Sequence, residues 1–187
     1  MRLLIVGPPG AGKGTQAARI AERLAIPAIS TGDIFRANIK NGTELGQQVQ
    51  HILAAGGYVT DEITNAIVQD RLAQPDAAEG FLLDGYPRTA AQVTALDDML
   101  AARSAALDAV LELTVDEDAV VARLLKRAQT EGRVDDTEDV IRERMAIYTR
   151  ETAPLTGTYA ARGLLRQVDG MGDVDVVTDR LVAAVQG

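Results

Sequence analysis

Short apolar runs alternate along the chain with longer stretches of helical spacing. The runs are "LLIV" at 3–6, "AIS" at 28–30, "FLLD" at 81–84, "AVLEL" at 109–113 and "LLRQV" at 164–168. Each is as long as a buried strand, and the stretches between them have room for crossover helices. The pattern therefore predicts an α/β fold in which a doubly wound, five-stranded parallel sheet carries helices on both faces. After Asp136, the residues Ile141, Met145, Tyr148 and Leu155 follow at steps of four, three and seven, which predicts one helix with its apolar stripe on the core. "TVDE" at 114–117 has capping-box spacing, and "DDTED" at 135–139 offers acidic residues and a capping side chain before a further helix.

Two stretches interrupt the alternation. Ser30 to Val59 holds helical pieces without an obvious strand, and "AQTEG" at 128–132 is a short break. Both read as insertions carried by the core. The chain has no internal repeat and no Pro/Ser-rich linker, and 187 residues suit a single apolar core.

Composition narrows the picture. An apolar content of 47% with only 3% aromatic residues means a core of Leu, Ile, Val and Ala, as in a sheet covered on both faces. A formal net charge of -8 argues against broad binding to nucleic acid or anionic membranes, while leaving room for a local basic pocket. With no cysteine and a single histidine, His51, neither a disulfide nor a Cys/His zinc site can be built, and a reducing cytoplasm is compatible. No apolar run approaches membrane-spanning length, and "LLIV" leads into a glycine loop instead of a cleavage site. A soluble, unprocessed chain is expected.

The chemistry begins in "GPPGAGKGT" at 7–15. Gly7, Gly10 and Gly12 allow backbone N–H groups to turn inward around phosphate oxygens, the following helix adds its positive end, and Lys13 supplies a mobile cation. A plain glycine turn with a solvated lysine is the competing reading. The order strand, loop, helix favours phosphate, as does the presence of one of only three lysines, against sixteen arginines, at the motif position. Gly14 occupies the position where a P-loop commonly has Ser or Thr, and the hydroxyl comes one residue later at Thr15. Asp84 ends a predicted buried strand, where open α/β sheets place ligands, and its carboxylate can hold the water shell of magnesium or cap the turn that follows. Asp33 could add to that shell. His51, in "HILAA", reads as a surface or packing histidine.

"GPPGAGKGT" resembles the G-x-P-G-x-G-K-G-T loop of nucleoside monophosphate kinases. "STGDIFR" at 30–36 and "DGYPRT" at 84–89 look like the two monophosphate-binding segments of adenylate kinases, and "GYVTDE", the arginine pairs and "TAPL" extend the likeness over nearly the whole chain in order. The chain thus resembles the adenylate kinase family in its short-lid form. The resemblance implies a P-loop core at 1–29, 60–126 and 133–187, an AMP-binding insertion at 30–59 and a short lid at 127–132. It implies reversible phosphoryl transfer from MgATP to AMP, giving two ADP. ATP would be held by Gly10, Ala11, Gly12, Lys13, Gly14, Thr15, Arg123, Arg127 and Gly172. AMP would be held by Thr31, Arg36, Gly57, Tyr58, Val59, Gly85, Tyr86, Pro87, Arg88 and Gln92, with Arg133 and Arg144 spanning the transferred group. Lys13, Arg88, Arg127, Arg133 and Arg144 would be catalytic, and Asp84 would hold Mg2+ through water. No zinc site, no nucleic-acid or membrane partner, a cytoplasmic location and a monomer are expected.

A forked guanidinium suits two phosphate oxygens better than an ammonium does, although in an Arg-rich chain surface charge is the alternative for each arginine. A base is not required, because a phosphomonoester with its second pKa at ~6 is already largely an anionic nucleophile at neutral pH. Three other readings compete with this one. A pyrimidine monophosphate kinase would more often read "SAGD" where this chain has "STGD"; a P-loop switch has no use for "DGYPR"; a catalytically idle scaffold would not need these site residues. No Asn-Lys-x-Asp guanine motif is present.

Overall fold

In the computed structural model, which describes residues 1–131 and 137–186 with the backbone alone at 117, 118 and 127–131, all five apolar runs form strands. They are β1 (Arg2–Val6), β2 (Ala28–Ser30), β3 (Phe81–Asp84), β4 (Ala109–Thr114) and β5 (Leu165–Asp169), in one parallel sheet of order β2-β3-β1-β4-β5. Register brings Ile5 beside Asp84 and Val6 beside Glu112.

Successive strand residues face opposite sides, and the core divides accordingly. Leu4, Val6, Phe81, Leu83 and Val110 pack with α4 (Asp61–Leu72), α5 (Ala90–Ala101) and α8 (Leu155–Ala161), through Val68, Leu96 and Tyr159 among others. Leu3, Ile5, Leu82, Leu111 and Leu113 pack with α1 (Lys13–Leu24) and α9 (Val174–Gln186), through Ile20 and Leu181. The crossovers that follow the neighbouring strands β1 and β3 thus take opposite faces. Their loops part at the carboxyl edge of the sheet and leave the crevice in which such folds place ligands.

Between β2 and α4 the chain forms α2 (Thr31–Lys40) and α3 (Glu44–Ala54), capped by the side chains of Ser30 and Thr43. Phe35, Val49 and Val59 form a small apolar cluster of their own there. The two helices cross closely at Gly46, where a Cβ would stand 2.3 Å from the Asn38 carbonyl oxygen, so no larger residue fits.

Three local expectations are corrected. The stripe from Ile141 to Leu155 is not one helix: α7 (Glu138–Ile147) passes into a π-helical turn at Tyr148–Thr152, and Pro154 precedes α8. A proline cannot continue the hydrogen-bond ladder, and the wider turn rotates the stripe. Ile141 and Met145 therefore pack against Val120 and Leu124 of α6 (Glu117–Glu131), whereas Leu155 joins the main core. Thr114 does not open a capping box, because it still belongs to β4 and donates to the Val168 carbonyl; Asp116 accepts from Ala119 N at 3.3 Å instead. In "DDTED", Glu138 and Asp139 fall in the first turn of α7 as expected, but Thr137 at the cap position makes no side-chain cap bond, and 135 and 136 lie outside the described residues.

Candidate active site

The loop from Gly7 to Gly12 leaves the buried end of β1 and feeds directly into α1. Gly10 sits at φ +83°, and a Cβ there would come within 2.8 Å of Leu124 Cγ, so the turn requires glycine. Lys13 Nζ donates to the carbonyls of Gly7 and Pro8 at 2.8 and 2.9 Å, which folds the cation back over the loop. Helix α1 has Gly12 at its cap and no acidic residue in its first turn, so its positive end stays available to an anion.

Asp84 stands against this helix start. A Cβ on Gly14 would lie 3.6 Å from Asp84 Oδ2, so glycine keeps the space beside the carboxylate open. Burial pushes the Asp84 carboxyl above its ordinary range, Lys13 and Arg88 pull the other way, and burial prevails.

The loop after β3 is held by a connected set of hydrogen bonds. Arg88 Nε and Thr31 Oγ1 both donate to the Gly85 carbonyl, at 2.8 and 2.9 Å. Arg88 N donates to Gln92 Oε1 at 2.7 Å, and Gln92 Nε2 donates to Asp61 Oδ1 at 2.7 Å. Thr89 caps α5 and donates to the same Asp61 oxygen at 3.0 Å. Tyr86, buried, donates to Asn65 Oδ1 at 2.7 Å. Thr152 Oγ1 in the π-helical turn donates to the Arg88 carbonyl at 2.8 Å and lies 2.8 Å from the Tyr58 hydroxyl. Arg36 pairs with Asp33 at 2.6 Å. The half-buried Tyr148 hydroxyl is pushed up to about 12, chiefly by burial, so it remains a neutral phenol.

Two clefts open at this edge of the sheet. One is lined by Thr31, Arg36, Gly57, Tyr58, Val59, Gly85, Tyr86, Pro87, Arg88, Gln92 and Arg144, which brings together the residues expected to hold AMP whose side chains are described. The other is lined by Gly10 to Thr15, Asp33, Asp84, Arg123 and Gly172, the expected ATP set and its acidic neighbours. Arg123 reaches from α6 to the Ala11 and Gly170 carbonyls, both at 3.3 Å, and so spans the phosphate loop and the segment before α9. Lys13, Arg36, Arg88 and Arg144 border both clefts. The Arg127 side chain and all of Arg133 lie outside the described residues; residues 127–131 continue α6. His51 is exposed on α3 and lines neither cleft.

Asp61 and Thr152, to which the sequence gives no role, brace Gln92 and Arg88. Both lie in quoted segments, "GYVTDE" and "TAPL", but their partners are distant in sequence. The Thr31 hydroxyl proton is committed to Gly85, and Gln92 retains one amide hydrogen beyond the one given to Asp61.

The donor set around Asp84, with Asp33 and the exposed Thr15 hydroxyl on the same cleft, is all oxygen, which suits a hard cation such as magnesium. Among the described residues no group of three or more His, Cys, Asp or Glu side chains could hold a metal ion.

A family model described as adenylate kinase matches residues 5–164. A protein named adenylate kinase from Kocuria rhizophila is 60% identical over 185 residues, covering 99% of this chain and 98% of its own. One of the same name from Clavibacter michiganensis is 60% identical over 186 residues, covering 100% and 93%. Another from Thermobifida fusca is 54% identical over 186 residues, covering 100% and 98%.

Proposed function

The chain belongs to the adenylate kinase family, and from that premise we propose how its residues carry the family's reaction. It is a phosphotransferase that moves a phosphoryl group reversibly between ATP and AMP, giving two ADP. The observation that supports the assignment of parts is the border of four cations, Lys13, Arg36, Arg88 and Arg144, common to two clefts. Two nucleotides meeting end to end would bring their phosphates together at that border.

ATP occupies the cleft beside the phosphate loop, with its phosphates on the N–H groups of Gly10 to Thr15 and its base near Arg123 and Gly172. AMP occupies the other, with its phosphate on Arg36 and Arg88 and its base toward Thr31, Gln92 and the backbone of Gly57 to Val59. Asp84 would hold Mg2+ through water, and the ion would supply positive charge against the ATP phosphates. The AMP phosphate attacks as an anion without a base. Each close cation–phosphate pair contributes on the order of 4 kcal/mol at an effective dielectric near 20, before desolvation, so several cations are needed. Arg127 and Arg133, which flank the lid at 127–132, add theirs. Closure of the 30–59 insertion and the lid over both nucleotides excludes water and completes the cage.

One chain supplies both clefts, which supports a monomer as the working unit. No helix among the described residues is long and apolar enough to cross a membrane, and we place the reaction in the cytoplasm, where both nucleotides occur.

The test measures ADP formed from ATP with AMP, UMP, CMP or GMP, beside phosphate released from ATP with no acceptor. AMP should be the best acceptor and hydrolysis far slower than transfer. Faster transfer to UMP or CMP would overturn the acceptor assignment, and hydrolysis matching transfer would overturn the closure step.

A further inference from the structure

The Arg88 guanidinium lies over the Tyr58 ring, with its carbon 4.9 Å from the ring centroid. Tyr58 lies just beyond α3, where the segment from α2 returns to α4, and its hydroxyl meets Thr152 Oγ1 at 2.8 Å. Thr152 has one hydroxyl hydrogen and gives it to the Arg88 carbonyl at 2.8 Å, so the Tyr58 hydroxyl is the donor in its contact with Thr152. A closed ring results, running from the Arg88 side chain to the Tyr58 face, through the Tyr58 hydroxyl to Thr152, and back to the Arg88 main chain. It joins three segments far apart in sequence.

We propose that Tyr58 is a positioning residue for the acceptor phosphate, acting through Arg88. An arginine side chain has several rotatable bonds, and a fork is useful only when its plane is fixed. Here Nε is fixed by the Gly85 carbonyl and the plane by the aromatic face beneath it. The two Nη nitrogens remain to grip a phosphate at the border of the clefts. The Thr152 bond in turn fixes the ring, since a phenyl group without that anchor would be free to slide. The proposal rests on the acceptor assignment made above and adds a role for the Tyr58 side chain.

The test compares Tyr58→Leu, Tyr58→Phe and Thr152→Val with the unmodified protein, measuring AMP binding by calorimetry and the KM for AMP and for ATP. Tyr58→Leu should weaken AMP binding and raise its KM by about three- to tenfold, with the ATP KM changed by less than about twofold. Tyr58→Phe, which keeps the face and loses the anchor, and Thr152→Val should each show a smaller effect of the same selectivity. In an Arg88→Lys background, which has no plane to align, Tyr58→Leu should add almost nothing. An equal loss of AMP binding in both backgrounds would show that Tyr58 touches AMP itself and would overturn the proposal, as would unchanged AMP binding in Tyr58→Leu. If the unmodified protein bound AMP but formed no ADP, the phosphotransfer reading would fail, while the binding cycle would still decide the role of Tyr58.

Discussion

Thr178 and Gln16 meet in a buried contact that ties α1 to α9: the threonine hydroxyl, 2.7 Å from the Gln16 side-chain oxygen and 2.8 Å from the Val174 carbonyl, shares its one hydrogen between them. Gln16 Nε2 also donates to the Val174 carbonyl at 3.0 Å, so the helix behind the phosphate loop is fastened to the start of α9. Thr178→Val should leave Gln16 Oε1 buried without that donor and lower stability by about 1–3 kcal/mol. Urea unfolding measures it. A change below a few tenths of a kcal/mol would show that Gln16 finds another partner.

Lys13→Ala should fold normally and lose turnover by about 10²–10³, the scale for removing one preorganised donor to developing charge. In the structure the lysine caps two loop carbonyls, a contact that water can replace at this half-buried position. Steady-state kinetics beside a thermal melt separates the two effects. Full activity in the folded variant would exclude Lys13 from the chemistry.

Asp84→Asn should make the protein more stable at neutral pH and much less active with MgATP. Burial raises the folded-state carboxyl above its ordinary value of 3.8, so the ionised form is disfavoured in the folded protein at pH 7. As pH falls through the raised folded value toward 3.8, the native protein takes up the proton and recovers that stability, so the advantage of the variant should shrink. Melts in chelator at neutral pH and near pH 4 test the sign. A less stable variant at neutral pH would mean that Lys13 and Arg88 outweigh burial.

Tyr159 buries its hydroxyl in the main core, where it has no hydrogen-bond partner among the described residues. Tyr159→Phe should therefore be neutral or stabilising, whereas Tyr86→Phe, which breaks the bond to Asn65, should cost about 1 kcal/mol. Chemical unfolding of the two variants side by side gives the comparison. Equal losses would reveal a partner for the Tyr159 hydroxyl.

What the sequence alone determined follows from local chemistry. The five strands were legible because buried parallel strands are short apolar runs bounded by turns, and the phosphate loop because glycine backbone and one lysine are specified by adjacent residues. The cations expected at the two clefts could be named through resemblance, since their motifs are contiguous. The helix after Asp136 was misread because spacing alone cannot register a π-helical turn, which shifts every later side chain on the stripe; likewise Thr114 has capping-box spacing but is drawn into β4 by pairing with β5. The bracing of Arg88 by Tyr58 and Thr152, of Gln92 by Asp61, and of Gln16 by Thr178 was decided only by the tertiary structure. These partners lie 30 to 162 positions apart, and nothing local in a tyrosine, a threonine or an aspartate says which distant group the fold will bring into contact with it.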